Sequence, residues 1–314
     1  MEKKSMKQAG KWTTADIPSQ EGKMVIVTGA SSGIGEVAAR ELAGSGAHVI
    51  LAVRNSGKGE RAMERIRAAY PEARLELREL DLADLASINS FASDFRSAHD
   101  RLDLLINNAG VMIPPYAKTA DGFELQIGVN HLGHFALTSL LMDMLRNTDA
   151  SRVVTVSSGA HKMGRPDLDD LQWERRRYRK WQAYGDSKIA NLYFTFELQR
   201  RLEQENAPTI AVAAHPGVAM TELQRHSSFL EWSSRLISHD VEHAALPTLR
   251  AATDATVRGG EYFGPDGLLE MSGFPVRVQP ISRAKDETFA SRFWELSAKL
   301  TGTDISQRTA RSAA

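Results

Sequence analysis

A chain of 314 residues, 42% of them apolar, is long enough for one large core with at most a small appendage. Its 39 basic and 39 acidic residues cancel, so no global positive field is available to hold nucleic acid, and small-molecule partners are expected instead. The absence of cysteine removes disulfides, thiolate nucleophiles and cysteine metal ligands, a composition suited to a reducing cytoplasm.

Residues 1–21 read as a leader: Lys3, Lys4, Lys7 and Lys11 are followed by no apolar run of signal length before Pro18, and a solvated terminus is the expectation rather than a surface tether. Neither MVIV (24–27) nor FALTSLLMDML (135–145) is long and unbroken enough to cross a bilayer, so a soluble, cytoplasmic protein is expected. Residues 24–28 predict a buried strand, and 33–45 a helix with Ile34, Val37, Ala38, Leu42 and Ala43 mostly on one face. A strand HVILAVR (48–54), a polar helix over 57–69 closed by Pro71, a strand LELRELDL (75–82), a helix over 85–98 and an apolar strand LDLLIN (102–107) follow. The alternation continues through a helix over 123–145, strand RVVTVSS (152–158), a helix over 183–205, strand TIAVAAHPG (209–217), a helix over 241–252 and a short strand near EYFG (261–264).

Strands alternating with helices of this length predict parallel strands joined by right-handed crossovers. Six or seven strands in one doubly wound, mostly parallel α/β sheet with helices on both faces are expected, within a single domain over residues 22–302. Two long connections, 161–182 and 217–240, fall at the carboxyl ends of strands, where open sheets bind ligands. The polar tail 303–314 is expected to fray.

In MVIVTGASSGIG (24–35) a strand delivers into a glycine-rich turn and then a helix, which presents backbone N–H groups and a positive helix end to a pyrophosphate. Gly29, Gly33 and Gly35 are spaced GxxxGxG, not GxGxxG, and on this segment alone an ordinary tight turn stays as open as dinucleotide binding. The motifs that accumulate behind it decide the matter. TGASSGIG, NNAG (107–110), Asn130 within a helix, SS (157–158), YGDSK (184–188) and HPG (215–217) together resemble the short-chain dehydrogenase/reductase family over residues 22–264. KWTTADIP (11–18), the VR that ends the second strand, VSSGAH (156–161) and HPGVAMTEL (215–223) are similar to its retinol dehydrogenase-like and protochlorophyllide reductase-like branch.

The resemblance implies a Rossmann-type fold, a nicotinamide cofactor, and a dimer or tetramer. Gly29, Ser31, Ser32, Gly33, Ile34 and Gly35 would cradle the pyrophosphate. NAD-binding sheets end their second strand in an acid that holds the ribose hydroxyls and repels a 2'-phosphate. Here Val53 occupies that place and Arg54 follows, a guanidinium matched to phosphate, so NADP(H) is preferred over NAD(H), with Ser31 and Asn55 as further contacts. The alternative makes Arg54 one more surface arginine. Asp81 and Leu82 would cover the adenine, unless Asp81 only caps the helix that follows. The small turn at Asn107, Asn108, Ala109 and Gly110 would admit the ribose, and Pro216, Gly217, Val218 and Thr221 would hold the nicotinamide.

Tyr184 and Lys188, four apart, share one helix face. A phenol with a pKa near 10 exchanges protons poorly at neutral pH, and a neighbouring ammonium draws that value down. By resemblance Tyr184 is the general acid/base, Lys188 also binds the nicotinamide ribose, and Ser158, preferred to Ser157, donates to the substrate oxygen. Strand alternation lets only one of the two serines face the cleft. Asn130 is either a satisfied helix-packing amide or part of a water relay from Lys188. His131 and His134 lack companions at ligand spacing, and no metal is expected. Leu223, Phe229, Leu230, Trp232, Leu236 and Ile237 are candidates for a substrate lid or for ordinary core.

Ser158 and Tyr184 lie 26 positions apart, well beyond the usual family spacing of about a dozen that the resemblance implies. The extra segment's Arg175, Arg176, Arg177, Arg179 and Lys180 read as a solvated face balanced by Asp167, Asp169, Asp170 and Glu174. The expected activity is interconversion of an apolar ketone or aldehyde with its alcohol. Reduction of a carbon–carbon double bond, or a non-catalytic cofactor-binding role, are the alternatives.

Overall fold

Val25, Ile26 and Val27 are wholly removed from solvent, the state expected of a continuous apolar run whose strand is covered on both faces. The computed structural model describes residues 10–217 and 241–305. In it β1 (Met24–Thr28), β2 (His48–Val53), β3 (Arg74–Glu79), β4 (Leu104–Asn107), β5 (Arg152–Val156), β6 (Ile210–Ala214), β7 (Tyr262–Pro265) and β8 (Pro275–Arg277) form one sheet. Their order is β3-β2-β1-β4-β5-β6-β7-β8. All pairs are parallel except the last, where β8 runs back along β7 with Phe263 opposite Arg277. The doubly wound α/β class holds, but the strand count of six or seven is corrected to eight. Three residues, PVR, give no alternation to read, and β8 exists because β7 offers it an edge.

The helices are α1 (Gly33–Gly44), α2 (Ser56–Ala69), α3 (Leu85–Ala98), the single turn α4 (Leu125–Ile127), α5 (Gly133–Arg146), α6 (Lys180–Gln204), α7 (Val241–Thr253) and α8 (Glu287–Thr301). Alternate residues of β1 enter opposite layers. Val25 and Val27 pack with Val37 and Leu42 of α1 and Leu249 of α7. Ile26 faces Phe91 and Phe95 of α3, Phe135 of α5 and Phe194 of α6.

The helix expected over 123–145 is divided. Between α4 and α5, Gly128–Leu132 winds as a π-helical turn, with the Gly133 N–H bonded five residues back to the Gly128 carbonyl. Such widened turns collect at functional sites. The leader also differs from a loose terminus. Trp12 and Ile17 pack on the core layer, Gln20 is buried, and the Lys11 ammonium sits 4.4 Å above the Phe274 ring. At the other end, Ile305 is buried and its carbonyl accepts from Arg146 Nη1 at 2.6 Å, so the expected fraying does not include the first residues of the tail.

His131 and His134 are core groups. His131 lies 4.8 Å from the Phe293 ring centre, with Nε2 2.8 Å from Ser297 Oγ, and burial pulls it down to about 3. Burial likewise pulls His134 down to about 4. Both are therefore neutral in the folded protein, while the unfolded chain takes up their protons below about 6.5. The unfolded state then binds more protons as pH falls, and stability is lost at up to about 1.4 kcal/mol per pH unit for each histidine. Urea midpoints between pH 7 and 5 are expected to fall, and to fall less steeply in His131→Phe. Identical slopes in the two proteins would contradict a neutral buried His131. Among the described residues no group of three or more His, Cys, Asp or Glu is placed to hold a metal ion.

Candidate active site

At the carboxyl ends of the central strands lies a cleft of about 810 Å³. Gly29 turns the chain out of β1 with φ +68°, and a side chain there would press to 3.0 Å from Ala109 Cα. A Cβ at Gly35 would stand 2.5 Å from both Asn108 Nδ2 and the Gly29 carbonyl. Bare backbone at these two positions brings the α1 N-terminus against the floor of the cleft, where its unpaired N–H groups and dipole favour an anion.

Thr28 stitches the point where the strand order reverses. Its Oγ1 accepts from the backbone N–H groups of Asn108 and Ala109, at 2.9 and 3.0 Å, and lies 2.9 Å from His134 Nε2. His134 Nδ1 is 3.0 Å from the Asn130 carbonyl. A carbonyl only accepts, so Nδ1 carries the proton and Nε2 takes the Thr28 hydroxyl hydrogen.

Gly29, Ser31, Ser32, Gly33, Ile34, Gly35, Arg54, Asn55, Asp81, Leu82, Asn108, Ala109, Gly110, Ser158, Tyr184, Lys188, Pro216 and Gly217 all line the cleft. Val218, Thr221 and the lid candidates from Leu223 to Ile237 lie outside the described residues. Of the adjacent asparagines, Asn108 faces the cleft, whereas Asn107 is buried and donates to Thr138 Oγ1 at 3.0 Å. Asn130 sits beneath the lining. Its Oδ1 accepts from Val111 N at 2.7 Å, and its Nδ2 donates to the Val111 carbonyl and Ser187 Oγ, each at 2.9 Å. Those bonds are the satisfied buried amide that was one of its two readings.

At the far end Val53 is buried, so no acid closes β2, and Arg54 is exposed. Asn55 caps α2, its Oδ1 accepting from Lys58 N at 2.9 Å. Asp81 does not cap α3. Asp84 does, through Ala86 N at 2.8 Å, while Asp81 Oδ1 accepts from Ala83 N at 2.9 Å. Lys58, four residues after Arg54 in the first turn of α2, also lines the cleft. That spacing was legible and unused.

At the reacting end the two serines divide as strand geometry requires. Ser157 Oγ is turned away, donating to the Lys188 carbonyl at 2.8 Å. Ser158 lies beside the Tyr184 hydroxyl, whose pKa it draws down, and accepts from Ala160 N at 3.2 Å. Lys188 Nζ lies 5.8 Å from the Tyr184 ring centre and donates to the Val156 carbonyl at 3.3 Å. The expected lowering of Tyr184 by Lys188 is not what the protein shows. Burial pushes Tyr184 up to about 12, with only Ser158 pulling it down, and burial pulls Lys188 down to about 8. Desolvation outweighs the mutual attraction of ammonium and phenolate.

The segment 161–182 is not a uniformly solvated face. Arg176 lies 3.8 Å from the Trp173 ring centre and 3.3 Å from Asp170 and 3.9 Å from Asp186, two buried carboxylates. Arg175, Arg177, Arg179 and Lys180 are exposed as expected. Because the segment is anchored, α6 begins at Lys180, three residues before the expected start, and Trp181 enters the cleft wall beside Val111, Met112, Pro114 and Ala160. None of these five was singled out from the sequence. Trp181 carried a signal, since it precedes Tyr184 by three on the same helix face.

Comparison with known proteins agrees with this geometry. Residues 23–229 match the family model for short chain dehydrogenase. Retinol dehydrogenase 11 of Homo sapiens is 43% identical over 293 residues, covering 93% of this chain and 89% of that protein. Polyprenol dehydrogenase of Mus musculus is 39% identical over 300 residues, covering 91% and 86%. The crystal structure of an uncharacterized protein from Mycobacterium paratuberculosis superposes with a TM-score of 0.80 at 47% identity, covering 95% of this chain and all of that one.

Proposed function

The chain belongs to the short-chain dehydrogenase family and is an oxidoreductase of it, and from that membership we propose that it interconverts an apolar ketone or aldehyde with its alcohol, using NADP(H) in preference to NAD(H). The observation that carries the proposal is the meeting of Tyr184, Ser158 and, one helical turn after the tyrosine, Lys188 at the wall of a cleft floored by side-chain-free backbone. The cleft suits a dinucleotide: at Gly29 and Gly35 a Cβ would press on Ala109, Asn108 and the Gly29 carbonyl, so bare backbone borders the cleft there, and Arg54 and Lys58, which also line it, would hold a 2'-phosphate. When bound, that cofactor supplies or accepts the hydride.

The chain's own residues handle the oxygen and its proton. Ser158 orients the substrate oxygen and donates to it as charge develops. Tyr184, whose burial keeps its proton on at neutral pH, is in the form that protonates an alkoxide in carbonyl reduction, and the same oxygen takes the proton back in alcohol oxidation. Lys188, charged below about 8, steadies the phenolate left after transfer and lies within reach of a ribose passing Gly110. Relatives named for retinol and polyprenol support an apolar substrate.

The test follows NADPH and NADH absorbance with ketones, aldehydes and enones, with product identification. NADPH-dependent formation of alcohols is expected. A saturated ketone or aldehyde formed from an enone would move the activity to double-bond reduction, and no turnover with any acceptor would overturn the reading.

A further inference from the structure

Trp181 is 40% exposed although it is the largest apolar group in the cleft wall. Its backbone is fixed from both sides. Ahead of it, Gln126 Nε2 donates to the Lys180 carbonyl at 2.9 Å and to Tyr178 Oη at 2.8 Å, and Tyr178 in turn donates to Glu124 Oε1 at 2.8 Å. Behind it, Gln182 Nε2 donates to the Met163 carbonyl at 2.9 Å and to Asp186 Oδ1 at 2.7 Å. Gln126 is fully buried. Its Oε1 accepts from Ile113 N at 2.8 Å, holding Ile113 at φ +49°, a conformation a β-branched residue avoids. One buried amide thus grips both the Trp181 wall and the facing 111–114 wall. Strain and buried polar groups have been invested in the spacing of two apolar surfaces, one of which remains open to solvent.

We propose that Trp181 is the specificity-determining wall for the substrate body beside the reacting carbonyl, that it selects flat, conjugated carbonyl compounds by stacking, and that Gln126 is the positioning residue that sets the gap. The proposal rests on the carbonyl-reductase reading. An indole that lines the cleft and keeps 40% of its surface exposed offers its largest gain to a planar partner lying against it, and its place three residues before Tyr184 puts that partner next to the oxygen that Ser158 and Tyr184 would hold.

The test compares cinnamaldehyde, the saturated 3-cyclohexylpropanal and the short propanal in the full-length protein. In Trp181→Ala, KM for cinnamaldehyde is expected to rise about tenfold or more, with a smaller rise for 3-cyclohexylpropanal and the smallest for propanal. Trp181→Phe restores most of the loss, and Tyr178→Phe, which removes two bonds of the clamp and leaves the Gln126 bonds to Lys180 and Ile113, gives a weaker rise in the same KM. Equal losses on all three substrates, or none on cinnamaldehyde, would overturn the proposal. Calorimetric binding of cinnamyl alcohol separates it from the functional reading: a protein that turns over no carbonyl but binds this ligand tenfold less well as Trp181→Ala loses the activity assignment and keeps the wall. Equal binding by the two proteins, or none by the unsubstituted one, removes the wall.

Discussion

Tyr184→Phe lowers kcat for carbonyl reduction by about 10²- to 10⁴-fold, the range of a lost general acid, and leaves cofactor affinity in place. The substitution removes one oxygen from a side chain that is 6% exposed, and the ring keeps its packing on α6. Ser158, the side chain beside the hydroxyl, keeps Ala160 N as its partner, so the fold loses little. The measurement is NADPH oxidation at saturating substrate, paired with a fluorescence titration of NADPH. Turnover within a fewfold of the unsubstituted protein would take Tyr184 out of the reaction. Weakened NADPH binding with proportionate loss of kcat/KM would make it a cofactor contact only.

Arg54→Asp is expected to raise KM for NADPH by about 10- to 100-fold, the worth of one charge-assisted hydrogen bond plus a new repulsion, and to improve NADH. β2 ends in buried Val53, and exposed Arg54 follows it at the cleft. Lys58 lines the same end, so some preference for the phosphorylated cofactor survives the single change. Because Arg54 is solvent-exposed, its contribution also shrinks as salt shortens the range of charge. Values of kcat/KM for both cofactors, at low and high salt, decide the point. Equal use of NADPH and NADH by the unsubstituted protein would refute the role given to Arg54.

Where local chemistry sets structure, the sequence was readable. The period of LASINSFASDFRSA gives α3 over 85–98 as observed, although its cap is Asp84 and not Asp81, and MVIVT followed by glycine gives β1 and its turn. Elements that depend on partners far along the chain were not. β8 depends on the edge of β7, the π-helical turn is supported by the loop at Val111 that Asn130 clamps, and the early start of α6 depends on Gln126 and Glu124 gripping Tyr178 and Lys180. That Tyr184 and Lys188 share a helix face followed from spacing, and their place in the cleft with Ser158 from the family resemblance, whereas the proton affinities of the tyrosine and lysine followed from neither. Spacing reports that two groups are near each other; it does not report how much water has been removed from around them, and here that dominates.

The Thr28 stitch bears on how this protein can change. A hydroxyl has one hydrogen to give and two lone pairs to share; Thr28 accepts from Asn108 and Ala109, and its hydrogen lies between His134 Nε2 and the Ile106 carbonyl. At this point of the cleft Thr28 therefore contributes shape and rigidity and has no bond left over for a ligand. Variation is confined to the two ends, Arg54 and Lys58 at one and Trp181 at the other, with an unyielding spacer between them. Coenzyme choice and substrate choice are in that sense separate modules, and a designer or a lineage can rewrite one while leaving the other as it stands.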